Sequence, residues 1–81
     1  MENKKELIKL VKKNGFYLDE KMIEDAKKFN TYIYICQSPD NDGGWTIPIY
    51  EAFPLNDYKK LSKLCKEIGV EMPFDVIVDK L

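Results

Sequence analysis

Seven consecutive residues, Ser38-Pro39-Asp40-Asn41-Asp42-Gly43-Gly44, divide this chain and dictate its plan. Pro supplies no amide hydrogen, Gly populates left-handed backbone freely, and Asp, Asn and Ser bond their own main chain in turns. Neither helix nor strand passes through such a run. On its N-terminal side, Thr31–Gln37 carries Tyr32-Ile33-Tyr34-Ile35, β-branched and aromatic without a breaker, which predicts a strand. On its C-terminal side, Trp45–Tyr50 predicts a second, so the pair reads as an antiparallel hairpin with a long loop. Pro48 cannot donate to a ladder and makes the second strand an edge.

Helices flank this centre. Leu7, Ile8, Leu10 and Val11 share one face of a first helix over Lys4–Lys13, with Asn3 and Glu6 in a capping-box spacing and Asn14-Gly15 as the stop. A second helix is predicted over Glu20–Phe29. Asp19 caps it, Leu18 is placed to staple onto Ile23, and Asn30 stops it; its inward face is Met22, Ile23, Ala26 and Phe29. The third begins at Asn56 or Asp57, runs through the stripe Tyr58, Leu61, Leu64, Cys65 and Ile68, and ends at Gly69. After Pro73, Phe74–Val78 predicts a third strand. The expected fold is therefore a small α+β domain over residues 1–81, in the order α-α-β-β-α-β. Its three-stranded, mostly antiparallel sheet has order 2-1-3, because the first strand is apolar on both faces and belongs at the centre.

The composition excludes much chemistry. All 13 positive side chains are lysine, against 14 acids, and there is no His or Arg; the net charge is −1. No side chain titrates unperturbed near neutrality, the commonest metal ligand is missing, and no guanidinium fork exists for bidentate recognition of phosphate or guanine. Cys36, Cys65, Ser38 and Ser62 have no His to serve as a base. Setting Gly43 at position 6 of a calcium loop puts Ser38 at position 1 and Ile49 at position 12, where the bidentate Glu belongs, so the turn run is a turn. No phosphate-loop glycine pattern and no zinc ligand set occurs. No cofactor and no catalytic residue is expected. Cys36 on a strand and Cys65 on a helix stripe read as thiols filling the core, as a cytoplasmic protein keeps them. No apolar run is long enough to span a bilayer, and the lysine-bearing N-terminus lacks the apolar core of a secretory signal.

The strand pleat then sorts two faces. Ile33, Ile35, Trp45, Ile47, Ile49, Phe74, Val76 and Val78 form the expected core side. Opposite lie Tyr32, Tyr34, Cys36, Thr46, Pro48, Tyr50, Asp75, Ile77 and Asp79. Tyrosines beside Ile77 and a carboxylate rim suit a protein-binding patch. Tyr32, Tyr34, Tyr50, Ile77, Asp40, Asp42, Asp75 and Asp79 are the expected partner contacts. A geometric alternative stands beside this: three helices do not fit over one face of a narrow sheet, and a first helix lying across the tyrosines would make them core.

The functional expectation is a small non-enzymatic protein-binding domain, an inhibitor or regulator that occupies a partner's surface. Its concrete form is an anti-defence inhibitor of a nuclease, encoded by a phage or mobile element, whose acids meet the basic nucleic-acid channel. Two rivals are a lysine-dependent nucleic-acid binder using Lys59, Lys60, Lys63 and Lys66, and a self-associating subunit such as a homodimer. The near-zero net charge and the interspersed acids weigh against the nucleic-acid reading.

Overall fold

The computed structural model describes residues 2–37 and 45–78, apart from the side chains at 45, 75, 77 and 78. The turn run 38–44 lies outside the described residues. The elements are α1 (Glu2–Lys13), α2 (Glu20–Lys28), β1 (Ile35–Cys36), β2 (Trp45–Pro48), α3 (Ile49–Ala52), α4 (Leu55–Ile68) and β3 (Asp75–Val78).

The α+β expectation is not met. Among the described residues, four helices make the domain mostly helical, and strand pairing is limited to two four-residue strands, the two residues of β1 and two isolated bridges. The core is built by α1, α2 and α4. Leu7, Leu10 and Val11 of α1, Ile23 and Ala26 of α2, and Leu61, Leu64 and Cys65 of α4 are buried together with Leu18, Ile33, Ile35, Ile49, Phe53, Val70 and Val76. α1 packs along α4 and against α2.

The helix boundaries follow local chemistry. α1 ends in a Schellman arrangement: Gly15 at φ 85° donates to the Lys12 carbonyl at 3.0 Å, and Phe16 donates to Val11 at 3.2 Å. α2 ends the same way on a non-glycine residue. Asn30 at φ 54° donates to Lys27, and Thr31 donates to Ala26. Asp19 caps α2 as the sequence predicts, its Oδ1 accepting from the Met22 amide at 2.9 Å. Two expected caps are not used. α1 begins at Glu2, so Asn3 lies inside its first turn, and α4 begins directly after Pro54, whose side chain makes no capping bond. Asp57 instead reaches across to α1. Its Oδ2 accepts from Asn14 Nδ2 at 3.1 Å and lies 3.5 Å from Lys13 Nζ.

The strands depart further from expectation. Their order is β1-β3-β2, with β3 parallel to β1 and antiparallel to β2. β1 and β2, the two arms of the expected hairpin, are not neighbours. β2 is an edge, as Pro48 requires, and the ladder stops there. Ile49–Ala52 then turns into the short α3, burying Ile49 and bringing Phe53 onto Phe16 with ring centroids 5.7 Å apart. Tyr50 is therefore on a helical turn and not on a strand.

The first extended segment is held at three points. Tyr32 bridges Glu71 in parallel, Ile35 pairs with Val76, and Cys36 pairs with Tyr17 on the other side. Between Glu71 and Val76 the chain is two residues longer than the stretch 32–35 that it faces. The excess is taken up around Pro73, which turns inward and is fully buried, while Phe74 is thrown outward. Phe74 thus leaves the core face on which strict alternation would place it. Ile33, Ile35, Ile49 and Val76 are buried as that alternation predicts, and Cys36 is buried on the opposite side, against Tyr17.

Candidate protein-binding surface

Among the described residues, three of the exposed aromatics, Phe29, Tyr34 and Phe74, collect at one place, where α2 ends and the first extended segment begins. Asn30 reverses the backbone, so Phe29 sits just beyond the last helical turn with φ −96° and ψ 5°, and it is turned outward. Tyr32 and Tyr34 follow on one side of the extended segment, with ring centroids 6.4 Å apart. Phe74 meets Tyr32 edge-on at 5.6 Å and 78°. Electrostatically, a positive ring edge against a negative ring face is the favoured contact for such a pair. Tyr34 is 48% exposed, Phe29 67% and Phe74 75%, large values for residues of this size. The Lys28 ammonium lies 5.5 Å from the centroid of the Phe29 ring, within cation–π range.

A shallow groove of about 210 Å³ runs between α2 and the segment 31–34. Met22, Asp25, Ala26 and Phe29 form one wall, and Thr31, Tyr32 and Tyr34 form the other. Its volume is below the roughly 300–1,000 Å³ of a drug-sized pocket. It therefore has room for a side chain and not for a large cofactor.

Of the expected contact residues, the structure brings together Tyr32 and Tyr34. Tyr50 is 65% exposed but stands on α3. Asp40, Asp42 and Asp79 lie outside the described residues. The backbones of Asp75 and Ile77 belong to β3, paired with Pro48 and with Cys36 and Thr46, but their side chains are not among those described. Sequence reasoning missed Phe29 and Phe74 by assigning both to the core. The signals that could have moved them are the breakers beside them, Asn30 and Pro73, because periodicity ends where a breaker resets the backbone. α1 does not lie across the tyrosines; it packs on α4 and α2, and Tyr34 stays half exposed.

The lysines named for nucleic-acid contact stand on α4. Lys59, Lys60, Lys63 and Lys66 are exposed along α4. The groove that joins α4 to α1 mixes Lys9, Lys13 and Lys60 with Glu6 and Asp57, and a second mixes Lys4 and Lys27 with Glu2 and Glu67. Lys4 also lies 3.7 Å from Glu24. A phosphate track needs uncompensated cations, and here carboxylates interrupt both grooves.

Beside the patch, Tyr17 and Asp19 fix the entry to α2. The Tyr17 hydroxyl donates to Asp19 Oδ2 at 2.8 Å. The Met22 amide and that hydroxyl hold the Asp19 carboxyl below its ordinary range, and the same bond to Asp19 raises Tyr17. Cys36 and Cys65 are buried thiols, and burial pushes Cys65 up to about 12. Among the described residues no group of three or more His, Cys, Asp or Glu is placed to hold a metal ion, and no helix is long and apolar enough to cross a membrane. No protein-family model, curated protein or solved structure matches this chain.

Proposed function

We propose that this chain is a small non-enzymatic protein-binding domain that works as an inhibitor or regulator by covering part of a partner's surface in the cytoplasm. The observation that carries the reading is the contiguous group Phe29, Tyr32, Tyr34 and Phe74, in which Phe29, Tyr34 and Phe74 are exposed and Tyr32 is half-buried between Tyr34 and Phe74. Aromatic side chains lose few rotamers on binding and bury large areas, and for this reason interface hot spots are enriched in them. The groove beside them gives an incoming side chain a pocket. In its most specific form, a phage or mobile-element inhibitor of a nuclease, Asp40, Asp42, Asp75 and Asp79 would add carboxylates that meet the basic channel of the enzyme.

The test is affinity capture from the host cell with three baits: the natural chain, a Tyr34→Ala/Phe74→Ala variant and a Lys60→Glu/Lys63→Glu variant. A protein held by the first and third baits and lost from the second supports the reading. Capture lost only with the lysine reversals, or a nuclease-sensitive complex, would contradict it and favour nucleic acid.

A further inference from the structure

The aromatic patch borders a strand edge that has main-chain hydrogen bonding to give. N–H groups alternate sides along an extended segment. The Ile33 amide points toward β3, donating to the Glu71 carbonyl, and the Cys36 amide points the opposite way, donating to the Tyr17 carbonyl. Residue 34 shares the direction of residue 36, so the N–H and C=O of Tyr34 face away from β3. The natural continuation of the antiparallel Tyr17–Cys36 bridge would set Asp19 opposite Tyr34. The chain cannot supply that partner, because Asp19 is the cap of α2 and the backbone turns into the helix at Glu20. No hydrogen bond among the described residues uses the Tyr34 main chain. Tyr34 also lines the groove along α2, and Asp25 is the one charged residue among those lining it.

We infer that the slot between α2 and residues 31–34 takes an extended peptide segment of the partner. The segment adds as a strand to the Tyr34 main chain, sets an apolar side chain between Phe29 and Tyr34, and places a Lys or Arg at Asp25. Strand addition of this kind draws affinity from main-chain bonds and specificity from pockets for alternate side chains. The cationic preference follows from charge complementarity with Asp25 at a groove otherwise lined by uncharged side chains. The inference rests on the protein-binding reading above and specifies its mode.

The probe is a random short-peptide library displayed on phage and selected against the natural chain. Enriched sequences are expected to share an apolar residue and a Lys or Arg at a fixed short spacing. With one selected peptide synthesised free, the Tyr34 amide should show among the largest NMR shifts and exchange with solvent about tenfold more slowly. N-methylation of the peptide should weaken binding by roughly tenfold at alternate nitrogens and little at those between. Asp25→Asn should lower affinity for the cationic peptide and leave unchanged that of its Ala-substituted form. Failure to enrich binders, tolerance of N-methylation at every position, or an Asp25→Asn variant that holds the cationic peptide as tightly as the natural chain does would overturn the inference. The protein-binding reading would survive any of these if the captured partner were still lost on Tyr34→Ala/Phe74→Ala, and would fall with it if that capture also failed.

Discussion

Replacing Asp57 with Ala should destabilise the domain by about 2–3 kcal/mol, and the reasons can be separated. Asp57 joins the end of α1 to the start of α4, and its side chain is mostly buried. Its first contribution is the 3.1 Å bond from Asn14 Nδ2; hydrogen bonds to charged groups contribute about 1.5–3 kcal/mol, here at the lower end because the site is only part-buried. A carboxylate in the first turn of a helix adds about 0.3–1 kcal/mol through the dipole. The ion pair to Lys13 adds least, roughly 0–0.5 kcal/mol, because the lysine side chain is 69% exposed and the pair spans 3.5 Å. For a domain of this size about 4–8 °C of melting temperature accompanies each kcal/mol, so Asp57→Ala should melt roughly 8–24 °C lower. Lys13→Ala should shift the melt by no more than about 4 °C. Asp57→Asn keeps an acceptor for Asn14 and should fall between the two. Thermal melts followed by circular dichroism at low salt and at about 1 M salt resolve the parts, since salt screens the exposed pair and not the hydrogen bond. If Lys13→Ala cost as much as Asp57→Ala, or if high salt erased the Asp57→Ala effect, the assignment to the Asn14 bond would be wrong.

Asp19→Ala should cost about 1 kcal/mol as a lost N-cap, seen as a lower denaturation midpoint with an unchanged slope. Because the folded Asp19 carboxyl titrates below its ordinary 3.8, its stabilisation is present above that value and disappears as pH falls through the folded value. The variant should therefore lose less on acidification than the natural chain, and an identical acid limb would refute the cap's contribution. Tyr17 has the opposite sign: its hydroxyl is raised above 10.0, so its contribution is complete below that pH and lost above it, and Tyr17→Phe should flatten the alkaline limb of the same profile. Thiol titration of the denatured, unreduced protein should find both Cys36 and Cys65, while in the native state Cys65 should resist alkylation at neutral pH, being buried and pushed to about 12; rapid native labelling of Cys65 would contradict its placement in the core.

The helical half of the fold was legible because its signals are local. Gly15, Asn30 and Gly69 end helices through backbone conformations that adjacent residues decide, and Asp19 caps one through a bond three residues away. The stripe Leu61, Leu64, Cys65 is buried as its spacing demands. The strands were less legible because their neighbours are set across the chain. Tyr32-Ile33-Tyr34-Ile35 looks central by its apolar content, yet Tyr34 is half exposed and β3, which begins with Asp75, takes the middle. A two-residue excess before Val76 reverses the facing of Phe74, and alternation counted from Val76 cannot reveal it. The candidate site followed the same division. Tyr32 and Tyr34, two apart on one segment, were found together; Phe29 and Phe74, each next to a breaker, were missed; and Tyr50 was lost to a helical turn that Pro48 starts.

The central claim is that this aromatic patch binds a protein, and its most direct test measures folding and binding on one variant. About half of the Tyr34 surface is already exposed, so truncating an aromatic residue of 150–250 Å² removes only about 75–125 Å² of buried area, roughly 2–3 kcal/mol of folding stability and a melt about 8–24 °C lower. Against the purified captured partner, Tyr34→Ala should raise Kd by about 5- to 150-fold, the 1–3 kcal/mol of an interface anchor. A folded Tyr34→Ala variant that binds as tightly as the natural chain, with affinity abolished by Lys60→Glu/Lys63→Glu instead, would contradict the account.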